Sequence, residues 1–169
     1  MKKHFLYFLI FTTSITLTSC GIYSFTGASI PAGTESYQVN RFENTSILIE
    51  PGLERDFKLA LEDLIQNQTN LNLVQSNADL VYEGEITNYR ISPTTATSQN
   101  TAAQNRLTIT VKVHFFNRKN EEDELDQTFS FFYDYPANAE LSGAQKTTAI
   151  EEIFERITQD IFNATLAKW

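Results

Sequence analysis

Residues 106–117, RLTITVKVHFFN, contain the clearest structural pattern in this chain. Apolar and mostly polar side chains alternate strictly along them: Leu107, Ile109, Val111, Val113 and Phe115 against Thr108, Thr110, Lys112, His114 and Phe116. Strict alternation puts the apolar side chains on one face of a β-strand, because successive residues point to opposite sides. The stretch therefore predicts a strand with one buried face, which a second layer of structure must cover.

The apolar spacing elsewhere predicts three more strands and two amphipathic helices. Period-two alternation identifies the strands, and recurrence every three or four residues identifies the helices. The predicted strands are residues 35–42, 78–91, 106–117 and 125–135, and the predicted helices are residues 53 to about 70 and 144–168.

This order defines an expected α+β fold, β-α-β-β-β-α. A helix joins the first two strands, so they run parallel if they pair, whereas the last two form an antiparallel hairpin. We expect a four-stranded mixed sheet covered on one face by the two helices. The predicted loops 43–52, 92–105 and 136–143 then lie together, at the pole opposite the entry into the first strand. The polar stretch 92–105 indicates either a mobile loop or a binding loop.

The amino-terminal residues have the three regions of a secretory signal. Lys2 and Lys3 precede an apolar run over residues 5–11, and a segment of small residues ends in Leu17-Thr18-Ser19-Cys20. Leu-Thr-Ser before a cysteine resembles the bacterial lipobox, in which the cysteine is acylated and becomes the new amino terminus. We therefore expect a removed signal peptide at 1–19, a lipidated tether at 20–34 and one α+β domain at 35–169.

Composition limits the classes of partner. The chain has 13 Lys and Arg residues against 21 Asp and Glu residues, a formal charge of −8. The negative charge argues against a nucleic-acid partner, because proteins bind phosphates through clustered cations. It also makes acyl chains, rather than surface charge, the expected membrane anchor. Cys20 is the only cysteine, so no disulfide, metal centre or other cofactor is expected.

The sequence gives little support to catalysis. It contains no Gly-rich phosphate loop, HExxH or GxSxG motif. His114 lies on the polar face of its strand without a companion nucleophile, and Glu83 and Glu85 have the spacing of a solvated strand face. We therefore expect a protein that is not an enzyme.

Three cations are candidate ligand contacts. Arg90 and Arg106 flank the predicted loop 92–105, and Lys146 lies at the start of the last helix. Guanidinium and ammonium groups suit phosphate or carboxylate ligands. The alternative interpretation, scattered cations on an acidic surface, stays open for each of them.

Several phrases of the sequence resemble the lipopolysaccharide-assembly lipoprotein (LptE) family, in its Bacteroidetes-type form. They cover most of the chain after the leader: CGIYSFTGASIP, QTNLNLV, DLVYEGEITNY, RLTITVKVHFFN and QDIFNATLAKW. The resemblance implies two helices on a four-stranded sheet, in agreement with the predicted order of elements.

The resemblance also implies a non-enzymatic lipoprotein on the periplasmic side of the outer membrane. Such a protein plugs and helps assemble an LptD-like β-barrel that delivers lipopolysaccharide to the cell surface, and Arg90, Arg106 and Lys146 flank the segments implied to contact lipopolysaccharide. Two other functions stay open. One is a lipid-anchored adaptor that adds a strand to an exposed sheet edge, and the less favoured one is an envelope hydrolase.

Acylation at Cys20 is directly testable. Intact-mass measurement of protein extracted from membranes should give a chain that begins at Cys20 and carries acyl mass, because two or three chains are needed for durable anchoring. A Cys20→Ser variant should leave the membrane fraction. Recovery of unmodified Cys20 in a soluble wild-type protein would contradict the prediction.

Overall fold

Two helices pack on a mixed sheet in the computed structural model, which describes residue 30, residues 32–96 and residues 102–167. The predicted signal peptide, Cys20 and most of the predicted tether lie outside the described residues, as do residues 97–101. The elements are β1 (Ser36–Val39), β2 (Glu43–Asn44), α1 (Leu53–Gln68), β3 (Asn72–Leu73), β4 (Leu80–Ala96), β5 (Ala102–Asn117), a 3-10 turn (Glu121–Asp123), β6 (Leu125–Pro136) and α2 (Gly143–Thr165).

The sheet combines parallel and antiparallel pairs, as predicted. Its order is β3-β1-β4-β5-β6, with β2 also paired to β4. The strands β1 and β4 are parallel, with Tyr37 opposite Leu80, and α1 lies between them in the chain. The strands β4, β5 and β6 follow one another as antiparallel neighbours. The α+β class, the mixed sheet and both helices are therefore confirmed.

The predicted number of strands was wrong: the described residues form a sheet of six strands rather than four, in the order β-β-α-β-β-β-β-α. The additional strands β2 and β3 contain two residues each, too few to produce an alternating pattern. The strand β2 follows β1 along the same edge of β4. From Val39 to Glu43 the chain of β1 and β2 advances four residues, whereas its partner β4 advances only three, from Tyr82 to Glu85. The extra residue interrupts the strand, as in a β-bulge.

The predicted loop 92–105 was also wrong over most of its length. The strand β4 continues to Ala96 and β5 begins at Ala102, with Ser92 opposite Arg106. Ile91, Pro93 and Thr94 are exposed, so burial imposes no apolar alternation here, and backbone pairing extends the hairpin. Proline is tolerated because, among the described residues, no strand pairs with the other edge of β4 beyond Ile86.

The core lies between one sheet face and the two helices. The five apolar side chains of β5 that were predicted to be buried are at most 1% exposed. The residues of α1 that face the sheet recur every four positions: Leu53, Phe57, Leu61 and Ile65. Val111 and Val113 share one apolar cluster with Ile153 and Ile157 of α2, so the last helix covers the buried face of β5.

A carboxylate fixes the point where the chain enters β1. Asp79 accepts hydrogen bonds from the backbone N–H groups of Glu35 (2.8 Å) and Ser36 (3.1 Å). Lys119 donates to the Gly33 carbonyl oxygen and lies 3.1 Å from Asp79. These donors, the Glu35 N–H first, lower the pKa of Asp79 to about 2. The folded chain therefore keeps this carboxylate charged well below the usual range, and its contribution to stability is lost only as the pH falls from 3.8 towards 2.

Gly84 permits the interruption between β1 and β2. A Cβ atom at this position would overlap the Lys112 carbonyl oxygen and lie 3.0 Å from the Phe42 ring. Phe42 is fully buried and makes an edge-to-face contact with Phe57 of α1, at 5.0 Å between ring centroids. Because Gly84 has no side chain, the ring of Phe42 fits beside it and reaches Phe57 in the helix layer.

We expect Gly84→Ala to destabilise the fold by about 1–3 kcal/mol, because the methyl group has no free space. Urea unfolding of the purified chain measures this effect. Thr128→Ala is the matched control, since Thr128 is exposed on β6 and should leave the free energy of unfolding nearly unchanged. Equal stability of the two variants would show that Phe42 and Lys112 can move away at no cost.

Candidate contact site

The sheet face directed away from the helices is polar and, among the described residues, uncovered. It is formed by the even-numbered residues of β5 and by their cross-strand partners. Thr110 and Ser130 lie opposite each other, with 2.9 Å between their hydroxyl oxygens. We call this surface the outer face; its β5 members are Arg106, Thr108, Thr110, Lys112, His114 and Phe116.

Arg106 lies on the outer face in a pre-formed ion pair. Its Nε and terminal nitrogen donate to the two carboxylate oxygens of Asp134, each at 2.7 Å. The guanidinium carbon also lies 3.5 Å from the centroid of the Phe132 ring. The hydrogen bonds from Arg106 lower the pKa of the Asp134 carboxyl. A phosphate could reach Arg106 only in competition with this bidentate partner.

Arg90 is the exposed cation of the same surface. It lies opposite Thr108 on β4, while Arg106 lies opposite Ser92. The two arginines are therefore diagonal cross-strand neighbours, about 7–8 Å apart by the usual sheet geometry. Among the described residues, no carboxylate forms an ion pair with Arg90. This guanidinium is available to an incoming anion.

Lys146 belongs to the helix layer rather than to the outer face. Its Nζ lies 2.8 Å from Glu50 Oε1, in the segment that precedes α1. Tyr89 lies nearby, and burial first and the Glu50 charge second raise its pKa to about 12. The three predicted cations therefore do not converge: Arg90 and Arg106 share the outer face, and the sheet separates them from Lys146.

An exposed apolar loop was not predicted from the sequence. Ile47 and Ile49 are 101% and 70% exposed, and Leu48 between them is also exposed. Ser46 at the base is buried, and its hydroxyl donates to the Leu48 carbonyl oxygen at 2.7 Å. The signal in the sequence that could have indicated this loop is a run of three adjacent apolar residues between a strand and a helix. We call residues 47–49 the apolar loop; they precede the Glu50–Lys146 ion pair directly.

The described residues provide no recognisable catalytic centre. His114 is half-exposed on the outer face, with Nδ1 3.4 Å from Asp126. No group of three or more His, Cys, Asp or Glu residues within 32–96 and 102–167 is arranged to hold a metal ion. In the same ranges, neither helix combines the length and apolar character needed to cross a bilayer.

Several solved structures share this fold. Rare lipoprotein B from Shewanella oneidensis is 12% identical, with a TM-score of 0.53 over 75% of this chain and 92% of that one. A lipoprotein B from Nitrosomonas europaea is 14% identical, with a TM-score of 0.52 over 76% and 79%. A hypothetical protein from Chlamydia trachomatis is 9% identical, with a TM-score of 0.56 over 80% and 99%. These structures show that the fold also occurs in proteins with little sequence identity to this chain.

The family follows from the sequence itself. The family model LptE, described as lipopolysaccharide-assembly, matches residues 34–165. No curated protein sequence matches the chain. The chain belongs to the LptE family of lipopolysaccharide-assembly proteins, and the predicted resemblance is confirmed at this level.

Proposed function

We propose that this chain is a non-enzymatic outer-membrane lipoprotein that plugs and helps assemble an LptD-type β-barrel. Acyl chains on Cys20 hold it on the periplasmic side, and the barrel delivers lipopolysaccharide to the cell surface. The observation that carries the proposal is the family match over residues 34–165. The Bacteroidetes-type form of this system is part of the proposal.

The direction of the strands supports an orientation for the plug. The described chain enters β1 beside Asp79 and Lys119, whereas β4 runs 17 residues away from Asp79 to Ala96. At about 3.3 Å per residue, this strand spans up to roughly 56 Å. The end of the hairpin therefore reaches far from the anchored pole. The strand β6 also ends there, with Pro136 opposite Gln104. The strand β2 ends nearer the middle of β4, opposite Ile86, and the apolar loop follows it.

The outer face supports the same assignment through its chemistry. The lumen of an outer-membrane barrel is polar, and the outer face offers hydroxyl groups, charged groups and few apolar side chains. The apolar loop adds contact surface of the kind that partner proteins cover. We propose that the part of the domain away from the anchored pole, with Arg90, Arg106 and the apolar loop, enters the lumen.

A second function is favoured by the free edge of β6. This strand has 12 residues and, among the described residues, pairs only with β5. A long edge with three aromatic residues at 131–133 could accept a strand from another envelope protein. A lipid-anchored adaptor of this kind is the alternative to the plug.

Site-specific photocrosslinking in cells tests the plug. A photoreactive residue at Ile47, in the apolar loop, should form adducts with a large outer-membrane barrel, and the barrel should co-purify with the chain. The same residue at Glu121, exposed near the anchored pole, is the matched control and should give none. Adducts from Glu121 but not from Ile47 would contradict the orientation, and loss of all barrel adducts would favour the adaptor.

Lipopolysaccharide contact by Arg90 and Arg106 is tested by two opposed changes. Arg90→Gln should weaken binding of purified lipopolysaccharide by about tenfold, because a charge-assisted hydrogen bond is removed. Asp134→Asn should strengthen binding, because it releases the guanidinium of Arg106. Arg118→Gln, at the opposite end of β5, removes the same charge as a control. Unchanged binding by both Arg90→Gln and Asp134→Asn would exclude this contact.

A further inference from the structure

A groove of about 560 Å³ runs between α1 and α2, on the side of the helices away from the sheet core. The helices run in the same direction, since Lys146 contacts Glu50 near their starts and Gln68 donates to Gln159 at 3.1 Å further along. The residues of α1 that line the groove run from Leu53 to Asn67. These fifteen residues rise by about 21 Å, or about four helical turns.

The floor of the groove is apolar. Leu53 and Phe154 are almost completely buried at its base. Leu64 and Ile150 are partly buried and pack against the core from the groove side. Leu59 is 49% exposed and lies outside that core cluster. The surface resembles the hydrophobic groove that receives the apolar side of an amphipathic helix.

The rim of the groove is acidic on both helices. Asp63 lines it from α1, and Glu151 and Glu155 line it from α2. Glu50 and Asp56 also line it, but they are paired with Lys146 and Arg55. Within the described residues, Asp63, Glu151 and Glu155 have no ion-pair partner. Three carboxylates therefore lie on both sides of an apolar floor, and no cation in the described part of the chain neutralises them.

We propose that this groove binds a cationic amphipathic helix of a partner protein. The apolar stripe of that helix packs on Leu59, Leu64 and Ile150, and Lys or Arg residues on either side of the stripe pair with Asp63, Glu151 and Glu155. The groove length fits about four turns of the partner. The inference is independent of the plug proposal, because the groove lies across the sheet from Arg90 and Arg106.

Charge complementarity selects this occupant over others. A second copy of this chain would bring its own acidic rim against the first, and like charges repel. A lipopolysaccharide phosphate would meet the same repulsion. A neutral acyl chain could fill the floor but would leave the three carboxylates unused. A helix with a cationic border satisfies both parts of the groove.

The test uses the full chain in zwitterionic nanodiscs and a labelled peptide of about 14 residues, built from Leu and Lys with Leu at helical spacing. Fluorescence anisotropy should detect binding that exceeds the signal from empty nanodiscs and that weakens as salt screens the charges. The triple variant Asp63→Asn, Glu151→Gln and Glu155→Gln should weaken binding about tenfold, as expected for three exposed ion pairs. Leu59→Ser should weaken it as well, since it removes apolar contact without entering the core.

Matched controls separate the groove from general attraction to an acidic protein. Glu121→Gln, Glu122→Gln and Glu124→Gln remove the same charge from the turn before β6, and this variant should bind as the wild type does. A peptide of the same composition with Leu dispersed around the helix should bind weakly. Equal loss in both triple variants, equal binding of the dispersed peptide, or displacement of the peptide by a free fatty acid would each overturn the proposal.

Discussion

The antiparallel ladder between β4 and β5 is the contact from which the other strands take their positions. It runs from Leu80 opposite Asn117 to Ala96 opposite Ala102. The strands β1 and β2 pair with one edge of this hairpin and β6 pairs with the other. Because successive side chains alternate between the two faces, the ladder also decides which face the helices cover and which stays polar.

Much of this arrangement could be predicted from one-dimensional patterns. The alternation over 106–117 identified the buried face of β5, and the four-residue spacing after Leu53 identified α1. The errors occurred in short or exposed strands, because burial there does not select for alternating apolar residues. Two-residue strands such as Asn72–Leu73 carry no periodic signal, and the outer part of the hairpin around Pro93 is exposed, so its side chains are free to be polar.

The candidate site could be predicted only in part, because charge pairing joins distant parts of the chain. Arg106 was recognisable as a cation, but its neutralisation by Asp134 depends on the register between β5 and β6. Lys146 and Glu50 are similarly brought together by the fold. The apolar composition of the loop that begins at Ile47 is visible in the sequence, but its exposure, above a buried Ser46, is visible only in the fold. The class of partner was predicted from the family resemblance, because no individual residue indicates it.

The contacts that Asp79 and Lys119 make at the beginning of β1 have a mechanical consequence. The strand has hydrogen-bonded neighbours on both edges, β3 and β4, and both run parallel to it. A pulling force transmitted through the segment before Ser36 acts along the strand axis, so it loads these bonds together in shear instead of opening them one by one. Asp79 and Lys119 add resistance at the point of attachment. With this arrangement, the domain resists tension applied between the segment before Ser36 and the distal hairpin without unzipping.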